Sequence, residues 1–354
     1  MEKQAVCIIS EDLSQPIDEG IKHFAYSLIK GCTGDCDVLG LSVRSLGYAD
    51  NSDIFSVKTN RLFLSLRLQA EIRSFRPDVI CYVPSASATL FSFLRSRMLK
   101  LYWPTARVVM VSLQPRHYHP VWQRLIRFLS PDMVFVQDEV AMKRLLRLGC
   151  HTRLLPSGVD LEKFTPVSAE KKAELRSKYH LEPQTFTILH VGHATTGRNI
   201  EILVQMQNKY HTQVVFVGSS LQHEDRHNLT SHLRGNGVVV LNNYFPNIEE
   251  IYQLSDCYLF PVFSDRACIG VPLSVLEAMA CNLPVVSVRY GNLSALFEEG
   301  RGLIYADTPE KLMQGVAVVR NYNGGCQTRE KVTPYSWQKI ARYVLETTIN
   351  RENN

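Results

Sequence analysis

Long apolar runs are lacking in this sequence, and their absence limits how the chain can meet a membrane. No apolar run reaches 18 residues in the 354-residue chain, so no segment is expected to span a bilayer as a helix. The first residues, MEKQAVCIIS, form a charged lead into a strand-like run and are not expected to be a targeting segment. Repeats of short period and low-complexity tracts are also missing. With 45% hydrophobic and 21% charged residues, the composition is typical of a globular chain, and the length predicts two domains.

The cysteines lack the pattern of a disulfide framework or of a metal site. The nine cysteines are scattered, their number is odd, and no signal peptide precedes them, which indicates reduced thiols and a cytoplasmic protein. Cys32 and Cys36 are the only close pair, and neither a second pair nor a nearby histidine accompanies them. We therefore expect neither a metal ion nor another bound cofactor.

Positive charge is unevenly distributed along the chain. Residues 1–165 carry 21 Lys/Arg against 16 Asp/Glu, whereas residues 166–354 carry 18 of each. Residues 58–127 contain 12 basic side chains and only two acidic ones. Such a surplus favours an anionic partner: a membrane surface, a phosphorylated acceptor or nucleic acid. Nucleic acid is disfavoured, because no recognition motif accompanies the charge. The amphipathic runs in this segment fit either peripheral contact with an anionic membrane or simple packing on a sheet.

Strand-like and helix-like segments alternate along most of the chain. The strand-like runs, six in each half, are AVCIIS, DVLGLSV, DVICYV, ARVVMVSL, DMVFVQ, TRLLPS, FTILHVG, TQVVFVG, GVVVLNN, DCYLFPV, PVVSV and GLIYA. This alternation predicts an α/β protein with parallel sheets covered by helices on both faces. We predict two doubly wound Rossmann-like domains, 1–165 and 166–330, facing a cleft, and a helix in 331–354 that crosses back to the first domain. In such sheets, ligands bind beyond the carboxyl ends of the strands.

One carboxylate stands in an otherwise apolar stretch. GVPLSVLEAMACNLPVV, from Gly270 to Val286, is typical of a buried helix that starts near Pro272 and ends at a left-handed Asn282. Glu277 lies inside this helix. Because an unpaired buried carboxylate costs several kcal/mol, Glu277 is expected either to form a structural ion pair or to face a cleft.

A loop with two basic side chains, VGHATTGRNIEIL, follows the strand FTILHV. Gly192 ends the strand, and His193 and Arg198 lie before a helix predicted to begin near Asn199, where backbone N–H groups would attract phosphate. The spacings of a dinucleotide fingerprint and of a P-loop are both missing. The loop alone fits a surface arginine and a loop histidine equally well.

The loop and the buried carboxylate together favour a nucleotide sugar as ligand. Both follow strands of the second domain, so both are expected at the carboxyl edge of one sheet. Arg198 and the helix start at Pro272 would neutralise a diphosphate. Glu277 would accept hydrogen bonds from two adjacent ribose hydroxyls.

Three segments in fixed order carry a family resemblance: LLPSGVDLEKFTP, VGHATTGRNIEIL, and IEEIYQLSDCYLFPV with GVPLSVLEAMACNLPVV. Over residues 130–305 the chain resembles the family 4 glycosyltransferases of the GT-B fold. The resemblance implies a metal-independent transferase that takes a sugar from a nucleotide donor and retains the anomeric configuration. By motif position, it implies that Glu277 holds the ribose and that Arg198 replaces the diphosphate-binding lysine. It also implies that Gly20 belongs to a glycine-rich loop near the donor phosphates.

Two positions depart from the family pattern. Ile269 stands where the family has a first glutamate that contacts the donor sugar, and His193 stands where it usually has arginine. Backbone N–H groups of Gly270, Val271 and Leu273 would then hold the sugar, and Asp265 is a nearby substitute carboxylate. We predict catalytic roles for Arg198 and Glu277 through donor positioning and leaving-group stabilisation. The predicted donor-binding residues are Gly20, Gly192, His193, Arg198, Gly270, Val271, Pro272, Leu273, Ser274 and Glu277.

The loop MVSLQPRHYHP, after a strand of the first domain, is the predicted acceptor side. Its candidate residues are Gln114, Arg116, His117 and His119. One of the two histidines could position or deprotonate an acceptor hydroxyl. The alternative is that both are solvated loop histidines.

The sequence therefore predicts a retaining hexosyltransferase that uses a UDP- or GDP-linked sugar. Its predicted acceptor is a glycan or a lipid-linked molecule at the cytoplasmic face of the membrane. The alternative is a catalytically inactive GT-B scaffold or a nucleotide-sugar-binding protein, which the isoleucine at position 269 favours. A sugar-nucleotide epimerase on the same fold lacks the support of a dense set of carboxylates.

Overall fold

The chain divides into two units, each of which is discontinuous in sequence. The computed structural model describes residues 3–43, 54–210, 212–218, 224–242, 244–265, 267–321 and 325–349. The first unit consists of Met1–Gly158, Ile269–Val271 and Trp337–Asn354, and the second unit consists of Val159–Cys268 and Pro272–Ser336.

The first unit contains a seven-stranded sheet in the order β3-β2-β1-β4-β5-β6-β7. All its strand pairs are parallel, and strands such as VICYV of β4 are buried throughout, as expected for a sheet covered on both faces. Its elements are β1 (Gln4–Ser10), α1 (Gly20–Cys32), β2 (Cys36–Ser42), β3 (Ile54–Ser56), α2 (Leu66–Phe75), β4 (Val79–Val83), α3 (Leu90–Tyr102), β5 (Arg107–Ser112), α4 (Pro120–Leu129), β6 (Met133–Val136), α5 (Glu139–Arg147) and β7 (Thr152–Leu154).

The second unit contains a six-stranded parallel sheet in the order β10-β9-β8-β11-β12-β13. Its elements are α6 (Ala169–Lys178), β8 (Thr187–Val191), α7 (Ile202–Tyr210), β9 (Gln213–Val217), α8 (Glu224–Gly235), β10 (Val239–Leu241), α9 (Glu249–Gln253), β11 (Cys257–Phe260), α10 (Leu273–Ala280), β12 (Val285–Ser287), α11 (Leu293–Leu296), β13 (Leu303–Tyr305), α12 (Pro309–Arg320) and α13 (Thr328–Val332). Short 3₁₀ turns occupy Thr196–Arg198 and Thr333–Tyr335.

The predicted fold class, two α/β domains with parallel sheets, is confirmed. The prediction of six strands in the first half was wrong by one strand, because β3 had not been predicted. This strand has only three residues and lies at the edge of the sheet. Such a short run does not show the apolar pattern by which a strand is recognised in a sequence. None of the described helices has both the length and the apolar composition needed to cross a membrane.

The last helix, α14 (Trp337–Ile349), belongs to the first unit and packs on α1. The ring of Trp337 meets that of Phe24 edge-on, with centroids 5.1 Å apart. A Cβ atom on Gly31 would lie 2.5 Å from the carbonyl oxygen of Trp337. The close approach of α1 and α14 therefore requires glycine at position 31.

A buried ion pair follows β1 in the first unit. Glu11 is 2% exposed and Arg95 is 4% exposed, and the Arg95 guanidinium contacts Glu11 Oε1. The hydroxyl of Tyr82 donates to the same oxygen at 2.6 Å, and the amide of Ser85 donates to Oε2 at 2.7 Å. Arg95 Nε donates to the carbonyl oxygen of Arg61 at 2.9 Å. The loops after β1 and β4 are thus held to α3 through one carboxylate.

Loss of the Arg95 cation should destabilise the first unit strongly. We expect Arg95→Met to lower the free energy of unfolding by about 3–5 kcal/mol, because it leaves the Glu11 carboxylate buried without a cation. The double variant with Glu11→Met should lose less. The matched control is Arg97→Met, two residues further along α3 and exposed, which should change stability by less than about 0.5 kcal/mol. Urea unfolding measures all three, and equal effects for Arg95→Met and Arg97→Met would contradict the prediction.

Candidate functional site

Helix α10 places the lone carboxylate of its stretch in the interior of the second unit. Pro272 is the N-cap, with an extended backbone, and no side chain caps the helix start. Asn282, with φ of 57°, follows the helix, so the predicted left-handed ending is confirmed. Ser274 is half-buried, the other α10 residues are buried, and Glu277 is 7% exposed.

Glu277 is held by a tyrosine that sequence reasoning missed. The hydroxyl of Tyr252, from α9, donates to Glu277 Oε2 at 2.6 Å, and Tyr252 is completely buried. Burial, and then the negative charge of Glu277, raise the pKa of Tyr252 well above its usual value. The phenol therefore stays protonated and acts as a hydrogen-bond donor at any ordinary pH. The contact joins residues 25 positions apart, and nothing in the local pattern marks it.

A second tyrosine ties α10 to the end of β8. The hydroxyl of Tyr258 lies 2.7 Å from Ser274 Oγ and 3.4 Å from the carbonyl oxygen of Val191. Its ring packs against that of Tyr252, with centroids 5.9 Å apart. Ser274 and Glu277 are three residues apart, on one face of the helix. The first turn of α10 and the carboxyl end of β8 are thus neighbours, as the sequence predicted for the two segments.

Arg198 closes the 3₁₀ turn Thr196–Arg198 after β8. The predicted helix start near Asn199 was wrong: Asn199 has a left-handed backbone with φ of 51°, and α7 begins at Ile202. The left-handed residue ends the turn and prevents a continuous helix. Arg198 is nevertheless 6% exposed, so the turn directs this side chain into the second unit.

The guanidinium of Arg198 is packed against backbone and is incompletely paired. Nη2 donates to the carbonyl oxygen of Ala267 at 3.0 Å. A Cβ atom on Gly192 would lie 2.1 Å from Nη1, so only glycine leaves room for the guanidinium there. Nε is buried and has no hydrogen-bond partner among the described residues. A buried cationic N–H group without a partner carries a large desolvation cost, which favours a ligand or water at this position.

His190 is a second buried polar side chain that sequence reasoning missed, within the apolar strand TILHV. It is fully buried and stacks on Phe216, with ring centroids 5.9 Å apart. Nδ1 lies 2.8 Å from the carbonyl oxygen of Leu259, so Nδ1 carries the proton of the neutral ring. Nε2 is buried, has no hydrogen-bond partner in the part of the chain that the structure describes, and lies 3.4 Å from the Cβ position of Gly192. An uncharged imidazole acceptor therefore borders the same glycine as the Arg198 guanidinium.

The remaining residues of this loop lie closer to the surface. Gly192 continues the sheet, because its amide donates to the carbonyl oxygen of Val217 at 2.9 Å. His193 is half-buried, and its carbonyl oxygen accepts from the amide of Thr195 at 3.0 Å. The candidate site has two parts. One part contains the Arg198 cation together with Gly192 and the uncharged ring of His190. The other part, contributed by α10, contains Ser274 and Glu277.

The segment Ile269–Val271 belongs to the first unit. The amide of Gly270 donates to the carbonyl oxygen of Leu113 at 2.8 Å, and the amide of Val271 donates to Gln137 Oε1 at 3.0 Å. The N–H groups of Gly270 and Val271, two of the three predicted to hold a sugar, are therefore engaged within the protein, and a sugar would have to replace these bonds. Ile269 is 3% exposed and lies 3.8 Å from the Cβ position of Gly20, the residue that begins α1.

The four candidate acceptor residues lie on the loop between β5 and α4 in the first unit. Gln114 is half-buried, and its carbonyl oxygen accepts from Ser87 Oγ at 2.6 Å. Arg116 is exposed and donates from Nε to the carbonyl oxygen of Ala86 at 3.0 Å. His117 and His119 are both exposed, and Nδ1 of His119 accepts from the amide of Val121 as the N-cap of α4. A structural role is thus visible for His119, and Gln114 and Arg116 are anchored through the β4–α3 loop.

The described residues show no candidate site for a metal ion. No group of three or more His, Cys, Asp or Glu side chains within them could hold an ion.

A family comparison matches the part of the chain that holds the cationic loop and α10. Residues 185–320 match the model described as glycosyl transferases group 1, and this stretch contains Arg198, Tyr252, Tyr258 and Glu277. Over this stretch, the second unit is similar to the group 1 glycosyl transferases. The resemblance of the chain to GT-B glycosyltransferases is thereby confirmed.

Individual relatives agree with this family. Sulfoquinovosyl transferase of Arabidopsis thaliana is 26% identical over 83% of this chain and 59% of that protein. A UDP-Gal:alpha-D-GlcNAc-diphosphoundecaprenol alpha-1,3-galactosyltransferase of Escherichia coli is 23% identical over 84% of this chain and 74% of that protein. The crystal structure of Anabaena Alr3699/HepE in complex with UDP has a TM-score of 0.72 at 15% identity, covering 98% of this chain and 99% of that chain. The chain spans half to three fifths of the length of the curated relatives it matches first.

The buried imidazole should make the second unit acid-sensitive. Burial lowers the pKa of His190 from 6.5 to about 4, and the Leu259 bond and the charge of Arg198 act with smaller weight. Because the folded pKa lies below the unfolded value, the contribution of His190 to stability is complete above pH 6.5. It is lost as the pH falls towards 4, and the loss amounts to about 3 kcal/mol.

The variant His190→Phe keeps an aromatic ring among its aromatic neighbours and removes this titration. We expect the free energy of unfolding to fall less steeply between pH 6.5 and 4 in His190→Phe, by about 1.4 kcal/mol per pH unit. His117→Asn is the control, because His117 is exposed, and it should keep the wild-type slope. Urea unfolding at a series of pH values gives the slopes, and parallel curves for wild type and His190→Phe would contradict the assignment.

Proposed function

We propose that the second unit binds a nucleoside-diphosphate sugar and that the protein transfers the sugar to an acceptor. The observation that carries this proposal is the buried Arg198 guanidinium, whose Nε is unpaired among the described residues and whose Nη2 donates to a backbone carbonyl oxygen rather than to a carboxylate. A buried cation without an anion favours an anionic ligand. Its position at the carboxyl end of β8 is where ligands bind in parallel α/β sheets, which suits a diphosphate close to the backbone.

We assign the ribose of the donor to Glu277. The carboxylate is held as an acceptor by Tyr252 and lies on the α10 face that also carries Ser274. The first turn of α10 has no side-chain cap, so its N–H groups and the helix dipole suit the diphosphate between ribose and sugar. The loop after β8 and helix α10, whose elements meet at Tyr258, would then bind the diphosphate and the ribose of one donor molecule.

The chemistry that this arrangement supports is stabilisation of a leaving group. When the bond between the anomeric carbon and the phosphate oxygen breaks, the departing nucleoside diphosphate gains negative charge. Arg198, fixed by the Ala267 carbonyl oxygen, would neutralise that charge in a site with little water. We propose transfer of a hexosyl-type sugar with retention of configuration and without a metal ion, from a UDP- or GDP-linked donor.

We propose a glycan or lipid-linked acceptor, met by the first unit at the cytoplasmic face of a membrane. The name of the E. coli relative specifies a diphosphoundecaprenol acceptor, and the basic surplus lies in residues 58–127 of the first unit. The loop that carries Gln114, Arg116, His117 and His119 follows β5 of that unit.

A binding protein without transferase activity is the second candidate. The buried Ile269, packed against Gly20, favours it, because an aliphatic side chain replaces the glutamate that the family resemblance leads one to expect. Release of free UDP or GDP from the matching donor, with or without an acceptor, separates an enzyme from a binding protein.

Removal of the Glu277 charge should weaken donor binding. The donor is first identified by thermal shift against UDP-, GDP-, ADP- and CMP-sugars, because a bound ligand raises the melting temperature according to its concentration relative to Kd. For that donor, we expect Glu277→Gln to raise Kd about tenfold or more, since hydrogen bonds to a charged group contribute about 1.5–3 kcal/mol. Glu330→Gln, at an exposed glutamate, is the control. An unchanged Kd for Glu277→Gln in calorimetry would rule out the ribose assignment.

A methyl group at position 192 should displace Arg198 without removing its charge. We expect Gly192→Ala to weaken the binding of free UDP or GDP about tenfold or more, because the guanidinium must leave its place beside the glycine. Gly235→Ala is the control, because a Cβ atom there meets nothing within 4 Å. Equal nucleotide affinity in both variants would show that the position of Arg198 does not matter for the diphosphate.

A further inference from the structure

Helix α4, Pro120–Leu129, exposes large apolar side chains on the surface of the first unit. Val121 is 68% exposed, Trp122 46%, Leu125 39% and Phe128 77%. Ile126 is the only buried residue of this helix. Such a concentration on one short helix differs from the single exposed apolar residues that are normal on protein surfaces.

The helical spacing separates a core face from an outer face. Ile126 lies in the core of the first unit, and Leu129 packs against that core. Val121, Leu125 and Phe128 follow the i, i+4, i+7 spacing of a second stripe, and Trp122 lies between the two. Only one edge of α4 packs against the core of the first unit. Burial in that core therefore does not explain why the outer stripe is apolar.

Basic side chains border the outer stripe. Arg124 and Arg127 are both exposed, and no acidic residue occurs in α4. Elsewhere in the segment 58–127, Arg95 is used in the buried pair with Glu11, and Lys100 binds Asp132 at 3.0 Å. Within the segment 58–127, α4 combines four exposed large apolar side chains with two exposed arginines on one helix.

We propose that the α4 face, consisting of Val121, Trp122, Arg124, Leu125, Arg127 and Phe128, inserts into the interfacial region of an anionic lipid bilayer. The apolar stripe would be buried at the boundary between headgroups and acyl chains, and the arginines would be attracted to the anionic headgroups. A second copy of this chain fits less well, because face-to-face pairing would bring four arginines together. This inference deepens the proposed function, in that it gives the first unit the surface on which a lipid-linked acceptor would be met.

Trp122 is a built-in reporter for the experiment. The chain has three tryptophans; Trp337 is 6% exposed, Trp103 is half-buried and Trp122 is 46% exposed. The full chain is mixed with vesicles of phosphatidylcholine containing 30% phosphatidylglycerol, or of phosphatidylcholine alone, at about 0.15 M salt. We expect co-sedimentation, a blue shift of tryptophan emission and quenching by lipids brominated on the acyl chains with the anionic vesicles. Trp122→Phe should bind without the emission change.

Two substitutions on the outer face test its contribution. We expect Val121→Ser with Phe128→Ser to reduce vesicle binding at least tenfold, because two exposed apolar side chains are lost. We expect Arg124→Gln to reduce it about fivefold on anionic vesicles, in line with about 1 kcal/mol per basic residue near such a surface. Val318→Ser and Arg234→Gln, at exposed positions of the second unit, should leave binding unchanged.

The proposal is overturned if wild type and the Val121→Ser/Phe128→Ser variant bind anionic vesicles equally, or if neither binds. It is also overturned if ultracentrifugation shows a dimer that this double variant dissolves. The assay needs neither donor nor acceptor, so its outcome is independent of the donor measurements. Nucleotide binding without vesicle binding would refute only the membrane contact, and vesicle binding without nucleotide binding would refute only the donor assignment.

Discussion

The candidate site depends on the position of one buried hydroxyl group, that of Tyr258. It lies within hydrogen-bond distance of both Ser274 Oγ and the carbonyl oxygen of Val191. A phenol has a single proton to donate; the Tyr258 hydroxyl donates to Ser274 Oγ at 2.7 Å, and the carbonyl oxygen of Val191 lies at 3.4 Å. Burial raises the pKa of Tyr258, which keeps the proton in place. The loop with Arg198 and the helix with Glu277 are separated by about 80 residues of sequence, and this hydroxyl brings their supporting elements together.

Near Gly192, the burial of the side chains decides which of them carries a charge. A protonated His190 beside Arg198 would place two cations in a region with little water, and desolvation prevents this by keeping the imidazole neutral. The carbonyl oxygen of Leu259 fixes the ring so that Nε2 presents a lone pair. Arg198 therefore remains the buried positive charge next to the glycine, with an uncharged acceptor as its neighbour. A diphosphate at this position would meet a single cation held between backbone groups.

The sequence predicted the elements of the fold well and their tertiary partners poorly. Alternating apolar strands and helices, with Pro272 and Asn282 around α10, are local signals, and these predictions agree with the structure. The missed strand β3 and the misplaced start of α7 both lie where a short or left-handed segment weakens the pattern. Among the site residues, the burial of Arg198 could not be foreseen, because it depends on the missing side chain of Gly192. Tyr252 and His190 were missed because each occurs in an apolar run that is also typical of ordinary core, and only the folded register shows what each hydroxyl or ring nitrogen contacts.

The interrupted path of the chain has a consequence for recombination between related proteins. Three residues, Ile269–Val271, and the terminal helix α14 belong to the first unit although their flanking sequence belongs to the second. A single crossover near residue 158 would therefore separate Phe24 and Gly31 from the Trp337 against which they pack. Exchange of the second unit between homologues needs two inserts, Val159–Cys268 and Pro272–Ser336, on either side of the tripeptide Ile269–Val271. Natural or engineered chimaeras that respect these junctions would keep both hydrophobic cores native, whereas a simple head-to-tail fusion would join mismatched surfaces.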